Sequence, residues 1–206
     1  LVQVMFLSWI CLGISGEELL ERTCVGQKCY EVVEKTSSDG SIRLRQLYYK
    51  DGRSSRCLLS QGTLRSNHEF EKNEVNDSAN RAMIGALFAS KSMSNKTFNV
   101  LYSTNSPGEI DRYFAQNQQF NATALIFDQP ALEISRKWMG IENNGVNYIP
   151  DPNVEHLSLL QRSGSFFDAY IIDICDYWKG KRIYPADAVF GSDRMQYFTN
   201  LLKPDG

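Results

Sequence analysis

The sequence predicts an α/β fold in which a small antiparallel β-hairpin segment precedes a doubly wound, mostly parallel sheet. Two patterns predict this architecture. In residues 28–65, apolar and polar residues alternate between turn residues, which is typical of β-hairpins. After residue 97, apolar runs alternate with helical spacing, and strands joined by helical crossovers lie parallel in one sheet. A length of 206 residues, 42% of them hydrophobic, is sufficient for one full hydrophobic core.

Residues 1–16 are predicted to form a secretory signal peptide. The stretch 2–14 is almost entirely apolar, and small residues precede the charged Glu17, as at a signal cleavage site. The stretch is shorter than the about 20 residues that an ordinary membrane-spanning helix needs. A buried first helix or strand is the alternative, because no positively charged segment precedes the apolar run. The start at Leu1 and the end at Gly206 also predict a fragment.

Residues 17–66 are predicted to form the N-terminal β-hairpin segment. Alternating residues give each strand one apolar face, and Asp-Gly pairs mark the turns between them. These strands form a small antiparallel sheet. The predicted strands are 29–34, 42–49 and 57–59, and the turns lie at 38–40 and 50–53.

Residues 67–206 are predicted to form the doubly wound domain, with strands missing at its carboxyl end. After a polar loop, helical spacing begins near Ser78, and near-continuous apolar strands follow, as expected of a sheet covered by helices on both faces. Pro130 fits the first turn of a helix. The predicted strands are 98–102, 122–127, 146–149 and 167–174, and the later helices are 108–117, 130–139, 154–162 and 193–202.

The composition excludes several classes of partner and fold. The chain has 22 Lys and Arg residues against 24 acidic residues, a net charge of −2, and these charges are interspersed. No nucleic-acid partner is expected, and no membrane contact beyond the export signal. The average content of apolar and charged residues also excludes collagen, a coiled coil and a wholly disordered chain.

Three N-glycosylation sequons agree with export to a secreted or lumenal location. They begin at Asn76, Asn95 and Asn121. Asn121 lies close to a predicted buried strand and is the least favoured of the three. We therefore expect a glycan at Asn76 or Asn95.

The cysteines leave the disulfide pairing open. In an oxidising compartment, two of Cys24, Cys29 and Cys57 can pair and fix the N-terminal segment, and a Cys24–Cys57 bond closes the longer loop. The alternative is that all are reduced and buried, as expected for Cys175 in an apolar strand. No metal site is predicted, because the sequence has 2 His residues and no CxxC pair.

Acidic residues follow three of the predicted parallel strands. Asp128, Asp151 and the pair Asp173 and Asp176 lie at or just past the strand ends, where ligands bind in open α/β sheets. Carboxylates accept hydrogen bonds from hydroxyls, amines and cationic groups, so they suit a cationic cofactor that carries a nucleoside. The alternative is that these aspartates cap the following helices.

Several segments resemble the spermidine synthase-like, class I S-adenosylmethionine-dependent methyltransferases, which have Rossmann-like sheets. Residues 124–140 resemble the second nucleotide-binding motif of this family, as do residues 167–176, and residues 198–206 resemble its late helix and turn. Residues 80–87 are similar to a helix of the eukaryotic branch that includes the elongation factor one-alpha methyltransferases. The resemblance covers residues 28–206.

The resemblance implies a role for each strand-end acid. Asp128 would bind the cofactor ribose hydroxyls and Asp151 the adenine amine. Asp173 and Asp176 would face the methionine ammonium or the acceptor, and Asp173 would help to deprotonate an attacking amine. The resemblance places Gly108 and Ser103 in the loop against the cofactor. It also implies a small-molecule or protein acceptor of unknown identity, and homodimers by analogy.

The loop after the first parallel strand departs from the family pattern. The family needs a glycine-rich loop there, because the backbone passes against the cofactor. In residues 103–109 only Gly108 remains, and Pro107 lacks an amide donor. Pro152 likewise removes a donor at the adenine end. The histidine and tyrosine signature of polyamine synthases is also missing, so spermidine synthesis is not expected.

Three interpretations follow from this mixture of features. The first is a non-catalytic member of the family with weakened or lost S-adenosylmethionine binding. The second is an active methyltransferase that acts on a protein or a small amine. The third is a secreted module that binds another ligand or a protein partner. Tyr177, Trp178 and Tyr184 either line an acceptor pocket or cover the sheet edge.

Overall fold

The computed structural model describes most of the two predicted sheet regions. The leader segment 1–13, Asn95, Asp151, Cys175 and Tyr184 lie outside the described residues, as do the side chains of Asp176, Tyr177 and Trp178. The described ranges are 14–51, 56–89, 97–141, 145–150, 152–174, 176–178, 181–183 and 192–204.

The N-terminal segment folds as a four-stranded antiparallel sheet in the order β1-β2-β3-β4. The predicted hairpins are confirmed here, and one further strand, β1, precedes them. Since β1 begins at Ile14, it overlaps the last residues of the predicted signal peptide. The strands are β1 Ile14–Val25, β2 Lys28–Ser37, β3 Arg43–Asp51 and β4 Cys57–Leu64.

The second sheet is parallel, as predicted, with four strands in the order β7-β6-β5-β8. The chain winds outward from β5 to β7 and then returns to place β8 on the other side of β5. The strand order therefore reverses between β5 and β8, which is where such sheets bind ligands. The strands are β5 Phe98–Thr104, β6 Phe120–Ile126, β7 Asn147–Pro150 and β8 Ala169–Asp173.

Helices cover both faces of the parallel sheet. One core cluster joins residues of α1 and α2 to β5 and β6, and another joins residues of α4 and α5 to the opposite side of the same strands. The alternation of strands and helices is therefore the mixed α/β, Rossmann-like arrangement that the sequence predicts. The helices are α1 Ser78–Ala89, α2 Glu109–Gln116, α3 Gln129–Trp138, α4 Val154–Arg162 and α5 Ser192–Asn200, and a short antiparallel pair is β9 Asp176–Trp178 with β10 Lys181–Ile183.

Helix α3 contacts both sheets. Its Leu132 belongs to the core cluster of the parallel sheet, whereas Ala131 and Ile134 pack in a separate cluster with Tyr30 and Leu47 of the N-terminal sheet. All five side chains are buried. Burial of an aliphatic side chain contributes about 1.5–3 kcal/mol, so α3 fixes the N-terminal sheet against the domain. This contact brings β2 and β4 to the carboxyl edge of the parallel strands.

The disulfide differs from the pairing that closes the longer loop. Cys24 of β1 is bonded to Cys29 of β2, the residue directly opposite it in the hairpin, with 4.1 Å between Cα atoms. Cys57 lies on β4, three strand positions from β1 and so roughly 14 Å away. That distance is too long for a disulfide, so of the pairings that the sequence leaves open the structure forms Cys24–Cys29 and not Cys24–Cys57. Cys57 is buried in the core.

Among the residues described, no helix is both long enough and apolar enough to cross a lipid bilayer.

Candidate functional site

The carboxyl edge of the parallel sheet gathers four of the predicted site residues. Ser103 lies near the end of β5, Gly108 precedes α2, Asp128 follows β6, and Asp173 ends β8. Thr104 and Asp173 are paired in register, and the Thr104 hydroxyl donates to Asp173 Oδ2 at 3.2 Å. These four residues therefore lie at the predicted edge of the sheet. Whether they can bind a ligand depends on the hydrogen bonds that each already makes.

The Asp128 carboxylate already accepts hydrogen bonds from two other residues of the chain. Its Oδ1 accepts the Ala131 amide at 3.1 Å, which caps α3, so the helix-cap alternative is confirmed for this residue. Both carboxylate oxygens also accept the Tyr30 hydroxyl, at 2.8 and 2.7 Å. Tyr30 lies on β2 of the N-terminal sheet and is buried. Burial and the bond to Asp128 raise the pKa of Tyr30, so this hydroxyl stays a donor.

The Tyr30 hydroxyl binds the carboxylate to which the family resemblance assigns the ribose hydroxyls. A carboxylate at the end of the second parallel strand would accept hydrogen bonds from a sugar, and here both oxygens accept from a phenol. The partners are 98 residues apart in sequence, so the contact depends on the docking of the two sheets.

The loop after β5 has its amide donors bonded internally. The Ser106 amide donates to the Thr104 hydroxyl at 2.9 Å. The Gly108 amide donates to Asp111 Oδ2 at 2.6 Å, and the Glu109 amide donates to the Ser60 hydroxyl at 3.1 Å. Pro107 has no amide hydrogen. The amides of Gly108 and Glu109, at the start of α2, are therefore already bonded within the chain and are not available to an anion.

Gly108 is in van der Waals contact with the N-terminal sheet. Its φ is +150°, which favours glycine, and a Cβ built there would lie 2.2 Å from the Ser60 hydroxyl oxygen of β4. The one glycine that remains in this loop thus makes room for a side chain of the same chain.

Two buried carboxyl groups begin α2. The Glu109 carboxyl accepts the Asp77 amide and, at 2.9 Å, the Asn80 side-chain amide, which links α2 to the start of α1. The Asp111 carboxyl accepts the Tyr102 hydroxyl at 2.5 Å. Burial raises the pKa of both carboxyl groups. Both are bonded within the chain and are closed to a ligand by their burial.

Arg112 is a buried cation that the sequence analysis did not identify. Its guanidinium donates to the Met139 carbonyl at 2.7 Å and to the Gln61 carbonyl at 2.6 Å, and it lies 4.2 Å from the centre of the Phe70 ring. Burial lowers its pKa to about 10. Arg112 therefore joins α2 to both β4 and the end of α3. A basic residue in a first helical turn usually faces solvent, so no sequence signal indicated this role.

Asp173 and Ser103 are also buried at this edge. Asp173 is 1% exposed, and Ser103 is fully buried with its hydroxyl 2.5 Å from the Tyr170 hydroxyl. Burial raises the pKa of Tyr170. Asp173 thus stands at the predicted strand end, with its carboxylate buried.

The residues of this edge do not fit S-adenosylmethionine. Asp128, which the resemblance assigns to the ribose, is bonded to Tyr30, and the amides of Glu109, Gly108 and Ser106 are bonded to Ser60, Asp111 and Thr104. Ser60 also fills the space beside Gly108. Among the residues that the structure describes, no group of three or more His, Cys, Asp or Glu side chains is placed to hold a metal ion.

The chain is similar in structure to a methyltransferase. A SAM-dependent methyltransferase from Agrobacterium tumefaciens is 11% identical, with a TM-score of 0.44, and the match covers 89% of this chain and 71% of that one. CurA from Vibrio vulnificus in complex with NADPH is 10% identical, with a TM-score of 0.37, and the match covers 87% of this chain and 50% of that one. No protein-family model matches the chain, and no curated protein matches it.

Proposed function

We propose that this chain is a non-catalytic, methyltransferase-like protein in which the N-terminal sheet occupies the former S-adenosylmethionine site. The observation that carries the proposal is the bond from the Tyr30 hydroxyl to both oxygens of Asp128. A ribose would have to replace this buried phenol, and hydrogen bonds to charged groups are worth about 1.5–3 kcal/mol.

The methionine end supports the same proposal. A methionine carboxylate needs amide donors at the start of α2, and the amides of Gly108 and Glu109 already donate to Asp111 and Ser60. Binding would have to break these bonds and move β4 away from Gly108. Binding would therefore have to displace contacts of the N-terminal sheet at both ends of the cofactor, and this cost disfavours high affinity.

An active methyltransferase is the alternative function. It requires S-adenosylmethionine beside Asp173, with an acceptor that reaches the same carboxylate. The burial of Asp173 and the internal bonds of the loop disfavour this alternative. A cofactor would be S-adenosylmethionine if the site opened, and the acceptor would be a small amine or a protein.

Titration calorimetry with the full chain tests the proposal. We expect no heat of binding for S-adenosylmethionine or S-adenosylhomocysteine at millimolar concentration. The folded state of the sample is checked by the cooperativity of its urea transition. Micromolar affinity for either compound would contradict the proposal and support the active alternative. S-adenosylhomocysteine is included because it lacks the sulfonium charge, so the two titrations separate loss of the nucleoside site from loss of sulfonium recognition.

A further inference from the structure

Two of the three sequons lie in the described residues, and their asparagines differ in exposure. Asn121 is the second residue of β6 and its side chain is exposed. Asn76 lies before α1, is half-buried, and has its Nδ2 atom fully buried. Because the sugar is attached to Nδ2, we infer that Asn121, and not Asn76, carries an N-linked glycan. This reverses the order that the sequence pattern favours.

The attachment chemistry suits the contacts of Asn121. Its side-chain amide would attack the first carbon of an oligosaccharide carried on a lipid pyrophosphate. A bond forms between Nδ2 and that carbon, the bond from the carbon to the pyrophosphate oxygen breaks, and Nδ2 loses one proton as the lipid pyrophosphate leaves. The second amide hydrogen remains on Nδ2. The hydrogen bond from Asn121 Nδ2 to Asn99 Oδ1, which is 2.9 Å long, can therefore persist in the glycosylated protein.

A glycan on Asn76 would conflict with the fold. The backbone amides of Asn76 and Asp77 donate to the Glu109 carboxyl, and the Asn80 side chain donates to it at 2.9 Å. The buried Nδ2 of Asn76 lies in this junction between the start of α1 and α2. A sugar on that atom would have to separate the two segments, which would leave the buried Glu109 carboxyl without its donors.

The disulfide supports the compartment that this modification needs. The Cys24–Cys29 bond is characteristic of proteins that fold in an oxidising environment, and eukaryotic N-glycosylation takes place in such a lumen. The position of Asn121 also separates the glycan from the candidate site. Asn121 lies at the amino end of β6, whereas Asp128 follows its carboxyl end. A glycan would therefore leave the contact between Tyr30 and Asp128 undisturbed.

Site-resolved mass spectrometry tests the inference. The full chain is directed into the secretory pathway of cultured animal cells by an added secretion leader, so that the result does not depend on the predicted native leader. Glycans are released enzymatically in ¹⁸O water, which marks each formerly glycosylated asparagine as labelled aspartate. We expect the label on Asn121 and none on Asn76. Asn95 is read in the same experiment as a separate peptide.

Two matched variants complete the test. Asn121→Gln should remove one glycan and leave any label on Asn95 unchanged, whereas Asn76→Gln should leave the number of glycans unchanged. Chain retained in the lumen is analysed together with secreted chain. An unlabelled Asn121 peptide in either fraction, or a label on Asn76, would overturn the inference. Calorimetry on the deglycosylated chain remains a separate test of the proposed loss of cofactor binding.

Discussion

Two neighbouring strand ends of the parallel sheet are closed in different ways. After β5, the main chain closes the edge, because the amides of Ser106, Gly108 and Glu109 are bonded within the chain. After β6, the contact depends on one phenolic hydroxyl, that of Tyr30, on the Asp128 carboxylate. The N-terminal sheet contributes to both closures, through Ser60 of β4 and through Tyr30 of β2.

The difference indicates how reversible each closure is. Deleting a single hydroxyl would release the Asp128 carboxylate from Tyr30 while its bond to the Ala131 amide remains, whereas the loop after β5 would need a new backbone path and new amide directions. Under the proposed function, the ribose end would be a latent site and the methionine end a lost one. Substitutions at Gly108, Tyr30 and Glu21 test this contrast, in decreasing order of expected effect.

Gly108→Ala should have the largest effect. The positive φ of Gly108 disfavours any side chain, by about 1–3 kcal/mol, and overpacking against Ser60 adds about 1–3 kcal/mol. We expect the free energy of unfolding to fall by roughly 2–6 kcal/mol, as measured by urea denaturation followed by tryptophan fluorescence. The matched control is Gly85→Ala in α1, where an added Cβ meets nothing within 4 Å and helix propensity favours alanine.

A Gly108→Ala variant as stable as the Gly85→Ala control would show that the loop after β5 can move away from β4. The methionine end would then be as reversible as the ribose end, and the contrast between the two closures would fail. The comparison with Gly85 isolates the backbone conformation and the contact with Ser60, because both variants add the same methyl group.

Much of the sheet could be predicted from local pattern. The predicted helix 154–162 matches α4, and the four parallel strands lie within a few residues of their predicted bounds. Local periodicity is sufficient there, because buried parallel strands are apolar throughout and helices repeat every 3.6 residues. Strand β1 was missed because its residues 14–16 resemble a cleavage site, and its strand conformation depends on pairing with β2.

The contacts that close the site could not be predicted in the same way. The Tyr30–Asp128 bond joins residues on different sheets, and the Arg112 bonds join α2 to β4 and to the end of α3. Nothing in the neighbouring sequence of Tyr30 distinguishes it from any other inward residue of a strand. The degenerate loop indicated that a cofactor would fit poorly, but only the docking of the two sheets identifies what takes its place.

Tyr30→Phe should have an intermediate effect on stability and a specific effect on binding. Removing the hydroxyl deletes the phenol bond to the Asp128 carboxylate and leaves the bond from the Ala131 amide, so we expect the free energy of unfolding to fall by about 1.5–3 kcal/mol. We also expect adenosine to bind the variant weakly, at millimolar concentration, and not the parent chain. Both are measured on the same samples, by urea denaturation and by saturation-transfer NMR.

Tyr113→Phe provides the control for this variant. Tyr113 lies on α2 and packs against Phe114 and Phe120, so removal of its hydroxyl leaves Asp128 untouched. We expect little change in stability and no adenosine binding. If Tyr30→Phe also failed to bind adenosine while remaining folded, removal of the hydroxyl would not reopen the ribose end. The predicted contrast between the two ends would then be contradicted.

Acidification should have the smallest effect on the free energy of unfolding. It acts on Glu21, which joins β1 to α3. The Glu21 carboxylate accepts the Trp138 indole N–H and the Lys137 ammonium, each at 2.5 Å. These bonds, that from Lys137 first, lower the pKa of Glu21 below its ordinary value of 4.5. Glu21 therefore stabilises the fold above about pH 4.5, and this contribution is lost as pH falls through its folded pKa. Because Lys137 is exposed, we expect Glu21 to contribute less than about 1 kcal/mol to the free energy of unfolding.

Glu109 should respond to pH in the opposite sense, since burial raises its pKa above 4.5. The stability of the parent chain relative to Glu109→Gln should be greatest at low pH and should fall as pH rises through the folded pKa of Glu109. Relative to Glu21→Gln, the parent chain should instead gain stability over the same rise. Urea denaturation of the three chains between pH 3 and pH 7 measures both differences. If the stability differences of the two variants changed with pH in the same direction, the opposite pKa shifts of Glu21 and Glu109 would be contradicted.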